Sequence, residues 1–225
     1  PVEYMSRDDS PIKLKTNVSA YVSLTEETKG INMSRLVRTL HDHIDKDLSV
    51  DLIQKLLVDY KNRLESRDSY IKFRFDYPMT QKSLRSNLEG WQYYSCVLEG
   101  RMNGDGTPKI FLTVDYIYSS ACPCSYEMGQ YVTKQTGEPV VSHSQRSTAK
   151  VTIQLDPNNP MFIEDLVDKM RYYIPTEVLV MCKREDEAEF ARLNGSNLLF
   201  CEDAARIAHE ALDPDPKVLD FVVVC

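Results

Sequence analysis

A hairpin signal near the middle of the chain limits the folds that the chain can adopt. Segments at about 90–102 and 109–119 have the pattern of strands, and an Asn-Gly-Asp-Gly sequence at 103–106 links them. A short link of this composition between two strands favours a tight antiparallel turn. Because a further strand-like segment lies at about 69–78, the centre of the chain is predicted to form an antiparallel sheet.

A strand and two helices are predicted before these central strands. Residues 12–24 alternate between apolar and polar types, as expected for a half-buried strand. Ser49 is the predicted N-cap of a second helix, whose broad apolar stripe covers 52–64. The first helix is indicated by four apolar residues at helical spacing, which are Leu36, Val37, Leu40 and Ile44.

The second half of the chain repeats the order strand, helix pair, strand, although its sequence does not repeat. A strand is predicted at about 149–156, helices over 162–174 and about 202–212, and a last strand over 219–224. This order is typical of an α+β fold with antiparallel sheets and helices on one face. The sequence contains no glycine-rich phosphate loop and no Gly-x-Ser-x-Gly elbow.

The composition of the chain limits its expected partners and its expected cellular location. The formal net charge of −7 over 225 residues argues against nucleic acid or an anionic membrane as the main partner, and the apolar runs are far too short for a membrane span. The six cysteines are scattered, which predicts reduced thiols in a cytoplasmic protein. No signal peptide is visible at Pro1, and because the chain does not open with methionine its start is expected to be processed or trimmed.

Two cysteines are the main candidates for chemistry. Cys122 and Cys124 flank Pro123, which stiffens the turn. A thiolate at the end of a strand suits a transition metal or a nucleophilic role. Taken alone, the pair is equally consistent with two loop cysteines that have no role.

Three further polar residues are candidates, and each also has an ordinary explanation. His143 lies in a loop before a strand, where a histidine is more often solvated than a ligand. Glu187 ends the charged run 183–187, which is interpreted as a solvated loop. Glu202 lies at a helix start, where it can simply interact with the helix dipole.

Five short motifs in a fixed order carry more information than any one of them. They are Lys29-Gly-x-x-Met-Ser-Arg35, Ser-x-Cys122-Pro-Cys124-Ser, His143-x-Gln145-Arg146-Ser, Lys-Arg-x-Asp-Glu187 and Glu202-Asp. Together they resemble GTP cyclohydrolase I of type B, a metal-dependent family that starts folate-type pterin synthesis. The resemblance runs from about Leu14 to the end of the chain.

The resemblance implies an architecture. Members of this family have the tunnelling fold, in which two antiparallel-sheet modules, each with paired helices on one face, assemble into a multi-subunit barrel. The first module would cover 1–125 and end in the Cys-Pro-Cys loop, and the second would cover 126–225. Family members are homotetramers with active sites at subunit interfaces.

The resemblance also implies a reaction and a set of metal ligands. GTP would be hydrolysed at C8 of guanine with release of formate, giving 7,8-dihydroneopterin triphosphate. Cys122, His143 and Glu187 match the family's catalytic metal ligands. One thiolate, one imidazole and one carboxylate leave a position open for water, and zinc, manganese and ferrous iron all suit this mixed set.

Other positions match the substrate contacts of the family. Glu202 matches the glutamate that holds guanine, whose N1–H and 2-amino groups a carboxylate can accept together. Four residues in matching motifs are expected to contact the triphosphate. They are Lys29, Arg35, Gln145 and Arg146. Cys124 either assists proton transfer or shapes the turn, and the second of these roles is favoured.

The sequence also departs from the family pattern. Tyr126 replaces a frequent lysine, Glu185 replaces a frequent proline, and the loop between Cys124 and His143 is expected to be extended at 133–137. Family members continue beyond the last strand into a segment whose histidine also serves the metal site. That motif does not occur in the sequence up to Cys225.

Alternative functions stay open. A protein of this fold could bind a purine or pterin without turning it over. The archaeal-type variant of the enzyme depends on iron and yields a cyclic phosphate, so analysis of the product separates it from the first hypothesis. A structural protein with incidental cysteines and histidines is a third alternative.

Overall fold

The computed structural model of the chain describes residues 1–24, 26–27, 29–43 and 46–225. The strands in these ranges are β1 Val2–Met5, β2 Pro11–Leu14, β3 Asn17–Val22, β4 Ser69–Lys82, β5 Glu89–Met102, β6 Pro108–Ala121, β7 Ser144–Leu155 and β8 Val218–Val224. The helices are α1 Met33–His41, α2 Val50–Leu64, α3 Pro123–Thr136, α4 Ile163–Tyr173, α5 Arg184–Ser196 and α6 Cys201–Leu212.

Strands β3 to β8 form one antiparallel sheet whose spatial order follows the chain order, while β1 and β2 form a separate pair. Between β5 and β6, the Gly106 N–H donates to the Asn103 carbonyl at 3.0 Å. Gly106 has a φ of +79°, which glycine adopts without a steric penalty. The predicted hairpin and the α+β class with antiparallel sheets are therefore confirmed.

One face of this sheet carries the hydrophobic core. Helices α1, α2, α4 and α6 all contribute buried side chains to it. Helix α2 approaches so closely that a Cβ on Gly100 would lie 2.3 Å from Cγ2 of Ile53. One row of core residues crosses from β4 to β7 and is at most 4 % exposed; it consists of Phe73, Leu98, Leu112 and Ile153.

The segment after α4 enters the sheet beside the last part of β6. Pairing of β6 with β5 ends at Val114, and beyond it the Ser119 N–H donates to the Thr176 carbonyl at 2.7 Å. The Val178 N–H donates to the Ile117 carbonyl at 3.2 Å. Because this segment leads into α5, its pairing places the start of α5 beside the end of β6.

The structure corrects several local predictions. The strand predicted over 12–24 is interrupted, since β2 ends at Leu14 and β3 begins at Asn17. The stretch 123–136 is a helix instead of a loop, and the charged run 183–187 is the cap and first turn of α5 instead of a solvated loop. Ile44, which was assigned to the first helix, lies outside the described residues.

The predicted boundary between the two modules falls inside an element. Residues 125 and 126 both lie in the first turn of α3, and the strands on either side of that helix, β6 and β7, are hydrogen-bonded neighbours. The sheet therefore continues across the boundary, and the two-module division stays a prediction. In the described ranges, no helix combines the length and the apolar character that a membrane span needs.

Candidate active site at the end of strand β6

The candidate site is built around Ala121, the last residue of β6. On one side Ala121 pairs with Ser144 at the start of β7. On the other side its carbonyl accepts a hydrogen bond from the Leu199 N–H at 3.1 Å, just before α6 begins. The end of β6, the start of β7 and the start of α6 therefore meet at one place.

Cys122 is the N-cap of α3. Its Sγ accepts a hydrogen bond from the Ser125 N–H at 3.5 Å, and Pro123 occupies the first helical position, where its missing N–H costs nothing. The free N–H groups at a helix start carry a partial positive charge. The turn thus holds the sulfur at the positive end of α3. Cys124 lies two residues after Cys122 and is exposed, and its role in shaping the turn stays a prediction.

The backbone of His143 is held directly against this turn. The Cys122 N–H donates to the His143 carbonyl at 3.1 Å, and the His143 N–H donates to Oγ of Ser125 at 3.2 Å. The Ser142 hydroxyl donates to the Cys122 carbonyl at 2.8 Å. Cys122 and His143, which lie far apart in sequence, are therefore adjacent in the fold.

Glu187 lies in the first turn of α5, and the neighbouring Asp186 fixes that turn. Asp186 is fully buried and accepts hydrogen bonds from the N–H groups of Lys183, Arg85 and Ser86 at 2.7 to 3.0 Å. Burial favours the neutral carboxyl, but these bonds and the Ser86 hydroxyl outweigh it and hold the pKa of Asp186 well below its ordinary value. The start of α5 is thereby tied to the loop between β4 and β5.

A cleft of about 500 Å³ lies between α3, α5 and the segment before β7. Glu187 lines it together with Tyr126 and with Ser142 and Ser144, the two neighbours of His143. An apolar cavity of about 230 Å³ lies elsewhere, between β1 and the starts of α2 and α4. It is lined by none of the predicted site residues.

The donor chemistry at the cleft fits a divalent transition metal, since thiolate, imidazole and carboxylate are ordinary ligands of zinc, manganese and iron. Cys122 and His143 are joined through their backbones, and Glu187 faces the adjoining cleft. Over the ranges that the structure describes, no three His, Cys, Asp or Glu side chains are grouped closely enough to hold an ion. The three predicted ligands share one region without forming a closed ligand set.

Glu202 lies in the first turn of α6, directly beyond the contact with β6. It is exposed, and its pKa is lowered by the backbone N–H at its own position and by the Cys201 thiol, which donates to Oε2 at 3.2 Å. Both effects favour the ionised form. Glu202 is therefore an acceptor that solvent, or a ligand, can reach.

The four residues assigned to the triphosphate fall into two groups. Gln145 and Arg146 pair with Ser120 and Ser119, so they lie at the site, exposed and on opposite faces of β7. Arg35, in contrast, lies in α1 at the other end of the molecule, and Lys29 comes four residues before that helix.

The position of Arg35 follows from two contacts at the end of α2. Its guanidinium donates to the Arg63 carbonyl at 2.9 Å, and the nearby Lys61 ammonium donates to the Asn103 carbonyl of the β5–β6 hairpin at 3.0 Å. From this hairpin, β6 runs 14 residues to Ala121, which is about 40 Å at the rise of an extended strand. Within one chain, Arg35 and Cys122 are therefore far apart.

Sequence reasoning missed three residues that organise the site, namely Ser125, Ser142 and Asp186. A signal for α3 was present, since a proline at the first helical position and Gly137 just past the end mark a helix. An acidic residue three positions into α5, Asp186, is likewise typical of a helix start.

Comparison with known proteins gives one consistent result. The family model of type I GTP cyclohydrolase folE2 matches residues 1–225. A GTP cyclohydrolase FolE2 of Cereibacter sphaeroides is 44 % identical over 224 residues, covering 100 % of this chain and 62 % of its own length. The GTP cyclohydrolase FolE2 of Dinoroseobacter shibae is 45 % identical over 226 residues and is covered to 61 %. This chain thus spans about three-fifths of the length of these curated relatives.

Among solved structures, a urate oxidase mutant of Bacillus sp. TB-90 aligns with 92 % of this chain and 75 % of its own. The TM-score is 0.45 and the sequence identity 11 %. A likeness of this degree carries no argument about fold or function.

Proposed function

Because this chain belongs to the type I GTP cyclohydrolase FolE2 family, we propose that it hydrolyses GTP at C8 of guanine. Formate is released, and the product is 7,8-dihydroneopterin triphosphate for folate and pterin synthesis in the cytoplasm. The observation that carries the proposal is the meeting of Cys122 and His143 at the start of α3, beside a cleft lined by Glu187.

Cys122, His143 and Glu187 are proposed to hold one divalent ion, which is zinc, manganese or ferrous iron. The ion would supply the Lewis acidity and the activated water that attack on the poorly electrophilic C8 requires. The protein would contribute three ligands. They are the Cys122 thiolate at the positive end of α3, the solvent-exposed imidazole of His143 and the Glu187 carboxylate on the facing helix α5. The cleft between α3 and α5 is where the purine would enter.

Glu202 is proposed to select the base. An ionised carboxylate accepts the N1–H and 2-amino groups of guanine, and adenine presents no such pair of donors. Its exposed position at the start of α6, next to the end of β6, supports this role. ATP is therefore expected to be a poor substrate.

The triphosphate is proposed to contact residues from two subunits. Gln145 and Arg146 belong to the same site as Cys122, whereas Lys29 and Arg35 would come from a second copy of the chain. This division agrees with a tunnelling-fold homotetramer that has active sites at subunit interfaces, in which each chain supplies two sheet modules.

A second candidate is a binding protein that holds a purine or pterin without turning it over. The open arrangement of Cys122, His143 and Glu187 in the described residues favours it, whereas the retained ligand types argue against it. The archaeal-type reaction differs in its cyclic phosphate product, so phosphate analysis of the product separates the two enzymes.

The test is an anaerobic assay of metal-stripped protein with GTP. Zinc, manganese or ferrous iron is added in turn, and formate and the fluorescence of the oxidised pterin are followed. We expect turnover with at least one metal. In Cys122→Ala, turnover should fall to background and bound metal should decrease, because the thiolate ligand is gone.

The matched control is Cys182→Ala, which removes an exposed cysteine that does not line the cleft and should keep both activity and metal. Full activity in Cys122→Ala would show that the ligand assignment is wrong. Absence of formate with all three metals, together with tight binding of a pterin, would establish the binding protein instead.

A further inference from the structure

We propose that Ser125 and Ser142 are positioning residues that set the spacing between the Cys122 thiolate and the His143 imidazole. They do so by fastening the backbones of the two residues to each other. The metal-binding role of this pair rests on the proposed function, whereas the fastening itself does not.

The two serines complete a ring of hydrogen bonds between segments distant in sequence. The first link is direct, because the Cys122 N–H donates to the His143 carbonyl at 3.1 Å. Ser125 adds a second link, because its Oγ accepts the His143 N–H at 3.2 Å. Ser142 adds a third, because its hydroxyl donates to the Cys122 carbonyl at 2.8 Å and also lies 3.1 Å from the His143 carbonyl.

The backbone links decide where the imidazole lies. Across the described ranges, the hydrogen bonds of His143 all go through its backbone, and its side chain is exposed. Within the described part of the chain, the ring therefore makes no hydrogen bond that would fix its distance from the sulfur. The sulfur, in contrast, is held at the helix cap by the Ser125 N–H.

The chemistry of serine suits this role. Ser125 uses two different groups, since its hydroxyl accepts from the His143 N–H while its backbone N–H donates to the Cys122 sulfur. Alanine at position 125 would keep the backbone N–H that bonds the Cys122 sulfur but would lose the hydroxyl that bonds His143. Threonine at position 125 would keep both groups. Outer-shell partners that orient metal ligands are worth about 10- to 100-fold in metal affinity.

The experiment compares Ser125→Ala and Ser142→Ala with wild type by two readouts. The first is the amide hydrogen-exchange rate of His143 and Cys122 in metal-free protein. The second is the affinity for Co²⁺, followed by the thiolate-to-cobalt absorption in competition with a chelator. We expect faster exchange of the His143 amide in Ser125→Ala and of the Cys122 amide in Ser142→Ala, and Co²⁺ affinity lowered about 10- to 100-fold in both.

Two further variants sharpen the result. Ser125→Thr keeps the hydroxyl and should restore most of the Co²⁺ affinity, which a general loss of stability would not explain. Ser196→Ala is the control, because Ser196 makes a similar hydroxyl-to-carbonyl bond, to Arg192 at 3.0 Å, on the surface of α5. It should leave both readouts unchanged.

Unchanged amide exchange in folded Ser125→Ala and Ser142→Ala would overturn the proposal, as would wild-type Co²⁺ affinity in both. If Ser125→Ala does not fold, Ser142→Ala tests the same ring of bonds independently. If wild type binds no Co²⁺, the proposed metal site is wrong, and the exchange rates still decide whether the serines fasten the two segments.

Discussion

At the scale of single residues, Asp186 determines where a neighbouring site residue lies. Its buried carboxylate joins the start of α5 to the loop between β4 and β5. Glu187, the next residue, reaches the cleft from that fixed turn. A carboxylate that accepts several N–H donors is stable as an anion even when buried.

We expect Asp186→Asn to lower the free energy of unfolding at pH 7, because an amide group faces donors that the carboxylate accepted. The folded pKa of Asp186 lies below the unfolded value. Its contribution is therefore fully present above about pH 4 and is lost as the pH falls further toward the folded pKa. Urea unfolding at a series of pH values should show the gap between wild type and variant narrowing below about pH 4.

The control for this prediction is Asp8→Asn, at an exposed position, which should leave the stability nearly unchanged throughout. If the difference in free energy of unfolding between wild type and Asp186→Asn stays constant into strong acid, the role assigned to Asp186 is contradicted. Two of the partners of Asp186, Arg85 and Ser86, lie about 100 positions earlier in the chain. Such a contact belongs to tertiary structure, so the local sequence around 183–187 could not reveal it.

At the scale of elements, the sheet was predictable and the two helices flanking the cleft were not. Strands β4 to β6 each bury alternate residues, and this period is visible in the sequence. Helix α3 instead exposes Met128 and Tyr131, so its apolar residues do not form a stripe facing the core. Helices at the edge of a core have weak periodicity, and their caps are then the remaining signal.

A pair of glycine substitutions tests the end of α3. Gly137 caps this helix at a φ of +73° with open space around it, so Gly137→Ala should cost about 1 kcal/mol through backbone strain alone. Gly195 lies inside α5, also with open space, and Gly195→Ala should stabilise by up to about 1 kcal/mol. Urea unfolding of both variants measures whether each substitution lowers or raises the free energy of unfolding. A stabilising effect of Gly137→Ala would show that α3 does not end at Gly137.

At the scale of the whole molecule, the predicted site residues lie at two ends of the sheet. Cys122, His143, Glu187 and Glu202, which the family motifs group together, lie near the end of β6. Lys29 and Arg35 could not be placed from sequence, because motif order gives no distance. That Arg35 lies far from Cys122 follows only from its contact with the end of α2, from the contact of α2 with the hairpin and from the length of β6.

This separation predicts complementation between inactive subunits. If each site takes Arg35 from a second copy, mixing Arg35→Ala with Cys122→Ala subunits should restore about a quarter of wild-type turnover, because about one interface in four then has both residues intact. Formate release after dissociation and reassembly of the mixture measures this recovery.

The matched control mixes Cys122→Ala with His143→Ala. Both residues belong to the same end of one chain, so no complete site can form and no activity should return. Recovery in this control, or none in the first mixture, would contradict a site that combines Arg35 of one copy with Cys122 of another.

The convergence at Ala121 also sets an order of events in folding. Its contacts with Ser144 and Leu199 close chain loops of about 20 and about 80 residues, and contacts between distant segments form late because closure entropy is lost first. The contact with Leu199, which closes the longer loop, is therefore expected to form after the contact with Ser144. Glu187 reaches Cys122 and His143 only when α5 has docked, so uptake of an ion that all three residues hold would report the docking of α5.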